Sequence, residues 1–187
     1  MPTLPSTFVF TDDMRLHDPV DVAATLPQHW GIVFRHYISN KRRSLAHELA
    51  KVCHARSLVF LIAADWRLAC EVRADGVHMP EGVLRSGTVS PMLNATRTML
   101  LTTSAHGAAG LHLASSLNAD AVFLSPVRAT VSHDEISPIG VLPFAAMAQA
   151  SHVPVYALGG VGSSDVLRLQ ALGAAGVAGI SLYKKDF

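Results

Sequence analysis

Residues Val153–Tyr183 read VPVYALGGVGSSDVLRLQALGAAGVAGISLY, and this stretch decides the fold. An apolar run, Pro154–Leu158, ends in Gly159-Gly160. A helix start follows at Ser163-Ser164-Asp165, and a second short run, Gly176–Ile180, ends at Ser181. Runs that are apolar at successive positions read as strands buried on both faces, and a helix-period segment between two of them makes a βαβ unit. Small residues at both strand ends let backbone N–H groups approach an anion, and the helix N-terminus adds unpaired donors and a positive dipole end. In a (β/α)8 barrel a phosphate site lies after strands seven and eight. The plainer alternative is a Gly-rich turn that only closes one βα unit. The second small-residue strand end, one unit later, favours a phosphate anchor made of Gly159, Gly160, Ile180 and Ser181.

The same rhythm runs back to the N-terminus. Strands are expected at Phe8–Thr11, Gly31–Arg35, Leu58–Ala63, Gly76–Met79, Met99–Thr103 and Ala121–Ser125, ahead of the two already named. Helices are expected at Pro19–Leu26, Arg43–Cys53, Trp66–Arg73, Met92–Arg97, Ala108–Ser116, Leu142–Ala150 and Ser164–Leu172. Alternating elements of this kind give an α/β fold with a parallel sheet. Seven helices between eight strands predict a compact (β/α)8 TIM barrel, one domain over residues 1–187, with the eighth helix short or missing. An open doubly wound sheet is the alternative, but no G-x-G-x-x-G follows the first strand. The length of 187 residues is short for a barrel, which typically takes about 250. A missing eighth helix would leave apolar surface beside the last and first strands, so a homodimer or a different packing is expected there.

Half of the residues are hydrophobic, 16% are charged and the net charge is +1 with histidines neutral. Nothing in this balance points to a nucleic-acid partner or a membrane surface. No apolar run reaches the roughly 18–20 residues of a membrane span. Two cysteines make neither a disulfide framework nor a metal set, and the N-terminus has no signal-peptide pattern, so a cytoplasmic location is expected.

Strand C-terminal ends line the active face of a barrel. They hold Thr11, Asp12 and Asp13; Arg35, His36 and Tyr37; Asp65; His78 and Glu81; Ser104 and His106; and Thr130, Ser132 and His133. Asp12 and Asp13 read equally as helix caps. His78 reads as a hydrogen-bonded filler of the barrel interior, Arg35 as an ion-pair partner of Asp12 or Asp13, and His106 as a cap of the helix after it. A metal site of His36, His78, His106 and His133 lacks the close spacing of a zinc motif. The segments Glu81–Ser90 and Arg128–Ser137 read as lids.

The series FVFTDD, VFRHY, DGVHMPEG, TTSAHGAAGLHLASSLNADAVFLSPVRAT, ALGGV and GAAGVAGIS, from Phe8 to Ser181, resembles the thiamine phosphate synthase and TenI family. For the synthase, the resemblance implies magnesium-assisted coupling of hydroxymethylpyrimidine pyrophosphate to thiazole phosphate. Its pattern has R-E-K after strand two, N-D after strand three, an acid after strand four and T-x-T-K after strand six. Here Arg35 matches the arginine, but His36 and Tyr37 replace the acid and the lysine. Ala63-Ala64 stands at the Asn-Asp position, Gly82 and Val83 at the strand-four acid, and His133 at the second lysine. Thr130 and Ser132 match the hydroxyls. Magnesium is held by carboxylates and phosphate oxygens, so only Asp65 or Glu81, after a loop shift, would replace the missing ligands.

The monophosphate half survives, and so does Ser104-Ala105-His106, the S-x-H motif. That matches the TenI branch, for which the resemblance implies tautomerisation of a thiazole carboxylate phosphate by a histidine. Imidazole, with a pKa of about 6.5, suits a proton shuttle. The expected machinery is therefore catalytic His106, Arg35 and Ser104, with Thr130, Ser132, His133, Gly159, Gly160, Ile180 and Ser181 binding a small phosphorylated heterocycle. No metal or cofactor is expected unless the chain is a synthase, in which case magnesium is. A catalytically silent barrel that senses a thiamine intermediate is the remaining reading.

Overall fold

The computed structural model describes residues 4–16, 18–86, 92, 95–96, 98–130 and 137–184. Eight strands close in chain order, and every neighbouring pair is parallel: β1 Thr7–Phe10, β2 Gly31–Phe34, β3 Val59–Ala63, β4 Gly76–Met79, β5 Leu100–Ala105, β6 Ala121–Leu124, β7 Val155–Leu158 and β8 Gly176–Gly179. The seam is made by β8 against β1, with Thr7 opposite Val177 and Val9 opposite Gly179. The crossovers carry α1 Pro19–Thr25, α2 Arg42–Ala55, α3 Trp66–Val72, α4 Glu81–Arg85, α5 Ala108–Ser116, α6 Val141–Ala150 and α7 Val166–Ala171. The barrel is the expected one. The strands differ from expectation by a residue or two at their ends, most at β5, which runs on through Ser104 and Ala105.

Period two explains why these strands are apolar throughout. Alternate residues face inward: Phe8, Phe10, Leu61, Leu100, Phe123 and Tyr156 make the inner cluster. Its rings meet edge to face, Phe8 on Phe123 at 5.2 Å and Phe10 on Phe123 at 4.9 Å between centroids, a preferred aromatic geometry. The residues between them, such as Val9, Ile32, Phe60 and Val77, face outward and pack under the helices. The recurring Ala-Asp before strands has a physical role at the barrel floor. Asp75 Oδ2 accepts the Phe60 N–H at 2.8 Å and Asp120 Oδ2 accepts the Leu101 N–H at 2.7 Å, each tying a strand's start to the neighbouring strand.

Two expectations change. α4 begins at Glu81, inside a segment read as a lid, because Ser104 Oγ on the adjacent strand accepts the Glu81 N–H at 2.9 Å and so satisfies an end group of the short helix. The expected helix Met92–Arg97 lies partly outside the described residues, as do 87–90 of the first lid and 131–136 of the second. After β8 the chain makes a turn at 181–184, with no further helix among the described residues. The apolar surface expected beside it is covered nonetheless: Val9 is 1% and Val177 0% exposed, within a cluster that includes Leu16 and Leu182. Packing within the chain covers this surface, the second of the two outcomes expected there. Among the described residues no helix is long and apolar enough to cross a membrane.

Candidate functional site

At the strand C-terminal ends a cavity of about 190 Å³ opens between units one, two, six, seven and eight. Arg35, Thr130, Gly159, Gly160, Ile180 and Ser181, six of the expected site residues, line it. Its size is below the roughly 300–1,000 Å³ of pockets for drug-sized ligands, which suits a small molecule. Gly159 and Gly160 have φ of +87° and +66°, in the left-handed region. A Cβ on Gly159 would stand 3.0 Å from Pro126 Cα, and one on Gly160 2.6 Å from the Ala129 carbonyl oxygen. Both glycines are therefore required by conformation and by space. The loop after β6 is bound to them, with the Val127 N–H on Leu158 O at 2.9 Å and the Arg128 N–H on Gly159 O at 3.0 Å.

Sequence reasoning did not name the other walls of this cavity, among them Arg15, Phe10 and Ser125. Phe10 and Ser125 belong to units already named, but Arg15 lies in a loop whose path no short-range pattern fixes. Arg35 is both a wall and an ion-pair partner. Its Nη2 lies 3.1 Å from Asp12 Oδ2, its Nε donates to Thr11 O at 3.2 Å, and its guanidinium lies 5.4 Å over the Phe10 ring. Asp12 and Asp13 are not helix caps. Asp12 Oδ1 accepts the N–H groups of Met14 and Arg15, Asp13 Oδ2 accepts those of Tyr37 and Ile38, and α1 is capped by Asp18 instead.

Ser104 and His106 stand apart from the cavity walls. His106 Nδ1 lies 2.8 Å from Glu81 Oε2, and its backbone N–H donates to the same oxygen at 3.0 Å. Arg85 donates to the other oxygen from Nε and Nη2, at 3.0 and 2.6 Å. Burial alone would raise the Glu81 carboxyl, but the bonds from His106 and Arg85 outweigh it and hold the group below the ordinary carboxylate value. Glu81 is thus ionised at neutral pH, with a histidine and an arginine on its two oxygens. Ser104 serves backbone architecture, and His106 does not cap α5 with its side chain. Ser132 and His133 lie outside the described residues.

Two further histidines are buried in the barrel framework. His36 is buried, stacks on Phe34 with centroids 5.1 Å apart and meets Thr11 Oγ1 at 2.9 Å; burial lowers its pKa. His78 fills the interior beside Phe10 and Phe123, meets Thr102 Oγ1 at 3.1 Å, and is pushed by burial down to about 3.

The donors for magnesium do not come together. Asp65 caps α3, its Oδ1 accepting the Leu68 N–H at 3.0 Å. Glu81 is held by His106 and Arg85, and Asp12 by Arg35. At the mouth between β2 and β3 a cation already stands: Arg42 donates to Ala63 O at 2.7 Å and to His36 O, its guanidinium 5.3 Å over the Phe34 ring. Among the described residues no group of three His, Cys, Asp or Glu gathers as a metal set. In this geometry Asp65 is engaged as a helix cap and Glu81 as a partner of His106 and Arg85.

A family model described as thiamine monophosphate synthase, TMP-TENI, matches residues 22–182. A protein of Aquifex aeolicus (strain VF5) is 33% identical over 139 residues, 74% of this chain and 73% of that one. The thiamine-phosphate synthase of Synechococcus sp. (strain WH7803) is 31% identical over 147 residues, 79% of this chain. That match covers only 41% of the Synechococcus protein's length. A thiamine phosphate pyrophosphorylase from Pyrococcus furiosus superposes with a TM-score of 0.81 at 18% identity, over 98% of this chain and 89% of that one, a likeness of fold. A barrel that carries this sequence order from its first helix to the turn after its last strand belongs to the TMP-TENI family.

Proposed function

We propose that this barrel anchors a small phosphorylated thiazole at Gly159, Gly160, Ile180 and Ser181 and moves a proton within it, as a TenI-like tautomerase. The observation that carries the reading is the contrast at one barrel mouth. The glycines and the Ile180-Ser181 turn expected to cradle a monophosphate line one cavity, while Asp65 and Glu81 are bound to protein groups. Arg35, which lines the cavity, would pair a second anionic group of the substrate, a reading supported by its place on the wall.

His106 is the proposed shuttle. With Nδ1–H donated to Glu81, Nε2 becomes the basic nitrogen, and the carboxylate stabilises the imidazolium formed when a proton arrives. The histidine follows β5, whose Ala105 carbonyl accepts the N–H of Ser125, a residue of the cavity wall, at 3.0 Å. The step takes a proton from carbon and returns it elsewhere on the same molecule, so composition and oxidation state are unchanged.

A second reading is favoured by the names of the relatives: a synthase that couples the pyrimidine and thiazole halves. One experiment separates the readings. Purified protein is incubated with thiazole carboxylate phosphate alone, and with thiazole phosphate plus pyrimidine pyrophosphate, each with magnesium or a chelator. Isomerisation that survives the chelator and is lost in His106→Ala is expected. Thiamine phosphate made only with magnesium would establish the synthase, and affinity for the phosphates without any turnover would establish a silent binding barrel.

A further inference from the structure

Arg128 lies in the loop after β6, against the glycine loop that follows β7, and the sequence reading put it only at the start of a lid. Its guanidinium forms a two-point fork on Asp165, Nη1 to Oδ2 at 2.7 Å and Nη2 to Oδ1 at 2.9 Å. The same Oδ2 accepts the Gly162 N–H at 3.0 Å. The Arg128 backbone is tied to Gly159 O, and a Cβ on Gly160 would stand 2.7 Å from Arg128 Cβ. One side chain thus grips the start of the glycine loop with its backbone, abuts its middle, and holds its end through Asp165. Neither Arg128 nor Asp165 is a wall of the cavity. Asp165 also puts a negative charge on the loop proposed to receive an anion, a placement that opposes binding unless a cation neutralises it.

We propose that Arg128 is a positioning residue of the anion site: its fork on Asp165 locks the loop from Gly159 to Gly162 in its anion-binding shape and cancels the Asp165 charge, without touching the anion. This rests on the reading of Gly159 and Gly160 as a phosphate cradle. A bidentate charge pair suits the task because it fixes angle as well as distance.

The test is a double-mutant cycle on the full chain, with inorganic phosphate as the probe and its Kd measured by calorimetry well below the melting temperature. Arg128→Ala is expected to weaken phosphate binding at least about tenfold, and Asp165→Ala less, because it removes an opposing charge along with the lock. Adding Arg128→Ala to Asp165→Ala should then change the Kd by less than about twofold, the non-additivity of residues that act as a unit. Arg128→Lys, which keeps the charge but not the fork, should restore affinity only in part. Should Asp165→Ala not fold, Asp165→Asn completes the cycle. An equal loss from Arg128→Ala in both backgrounds would mean that Arg128 touches the anion, and would overturn the proposal. A lowered melting temperature with Kd unchanged overturns it as well. Failure of the wild-type chain to bind phosphate would sink the cradle reading itself, and is distinguishable because it precedes any variant.

Discussion

The ends of β7 and β8 and the ends of β2, β3 and β4 face one another across the same barrel mouth, and they are built differently. The first pair makes its site from backbone: two glycines in left-handed conformations and the turn at Ile180-Ser181. The second group makes its surroundings from side chains, and there each acid has been drawn into a local task. Asp65 caps a helix, Glu81 binds a histidine and an arginine, and Arg42 fills the space over the Ala63 carbonyl. A backbone site persists wherever the turn persists. A side-chain site depends on one residue choice per strand end, so a single fold can carry one half of a site and not the other.

The strongest way to break this comparison is Gly160→Val. A left-handed φ of +66° costs a residue with a Cβ about 1–2 kcal/mol, and forced overpacking typically about 1–3 more, so the variant should lose about 2–5 kcal/mol. Urea unfolding reads that loss, and the rise in melting temperature on adding phosphate should vanish with it. A Gly160→Val protein still stabilised by phosphate would show that the cradle is not at β7.

How legible each half was from sequence follows from the same difference. The barrel, all eight strands and the glycine cradle are written in short-range patterns: buried runs of four to six residues, a helix period between them, Gly-Gly where the chain must turn left. Arg35 was readable as either an anion fork or an ion-pair partner; the ion pair with Asp12 is formed, on a residue that also lines the cavity. What local pattern did not convey was partnership across units. Glu81 and His106 are 25 residues apart, Arg128 and Asp165 are 37 apart, and each pair meets only because the closed sheet sets neighbouring strand ends side by side. The α4 helix was illegible for the same reason, since its first N–H is satisfied by Ser104 from another strand. The N-cap role of Asp65 was legible, since an Asp just before Trp66-Arg67-Leu68 has the position of a cap, but the sequence reading weighed it only as a stand-in magnesium ligand.

A middle-sized effect tests the Glu81 cluster. Glu81→Ala removes the charge-assisted bonds from His106 and Arg85, whose side chains are about half exposed and can turn to water, so the expected loss is about 1 kcal/mol. The pH dependence has a definite sign. The folded-state pKa of Glu81 is lowered from its ordinary 4.5, so the stabilisation is fully present above that value and is lost as pH falls through the folded pKa. The gap in stability between the wild type and Glu81→Gln should therefore narrow as pH falls below 4.5, and a gap that widens instead would mean Glu81 is protonated in the native chain. If His106 is the shuttle, Glu81→Gln should also shift the pH profile of turnover, whereas a purely structural Glu81 would lower stability and leave that profile in place.

The smallest effect concerns Asp65, and it bears most directly on which half of the mouth is functional. As an N-cap, Asp65 contributes about 1 kcal/mol, which Asp65→Ala should lose and Asp65→Asn should largely keep, because an asparagine oxygen accepts the Leu68 N–H as well as a carboxylate does. A magnesium ligand behaves otherwise, since the hard ion needs the charge and asparagine supplies far less of it. Thermal unfolding with pyrimidine pyrophosphate, with and without magnesium, separates the two roles in one substitution. Equal magnesium responses in the wild type and Asp65→Asn would keep Asp65 a cap. A magnesium-dependent stabilisation present in the wild type and absent from Asp65→Asn would instead make the carboxylate a ligand, restore the pyrophosphate half, and erase the contrast between the two sides of the barrel.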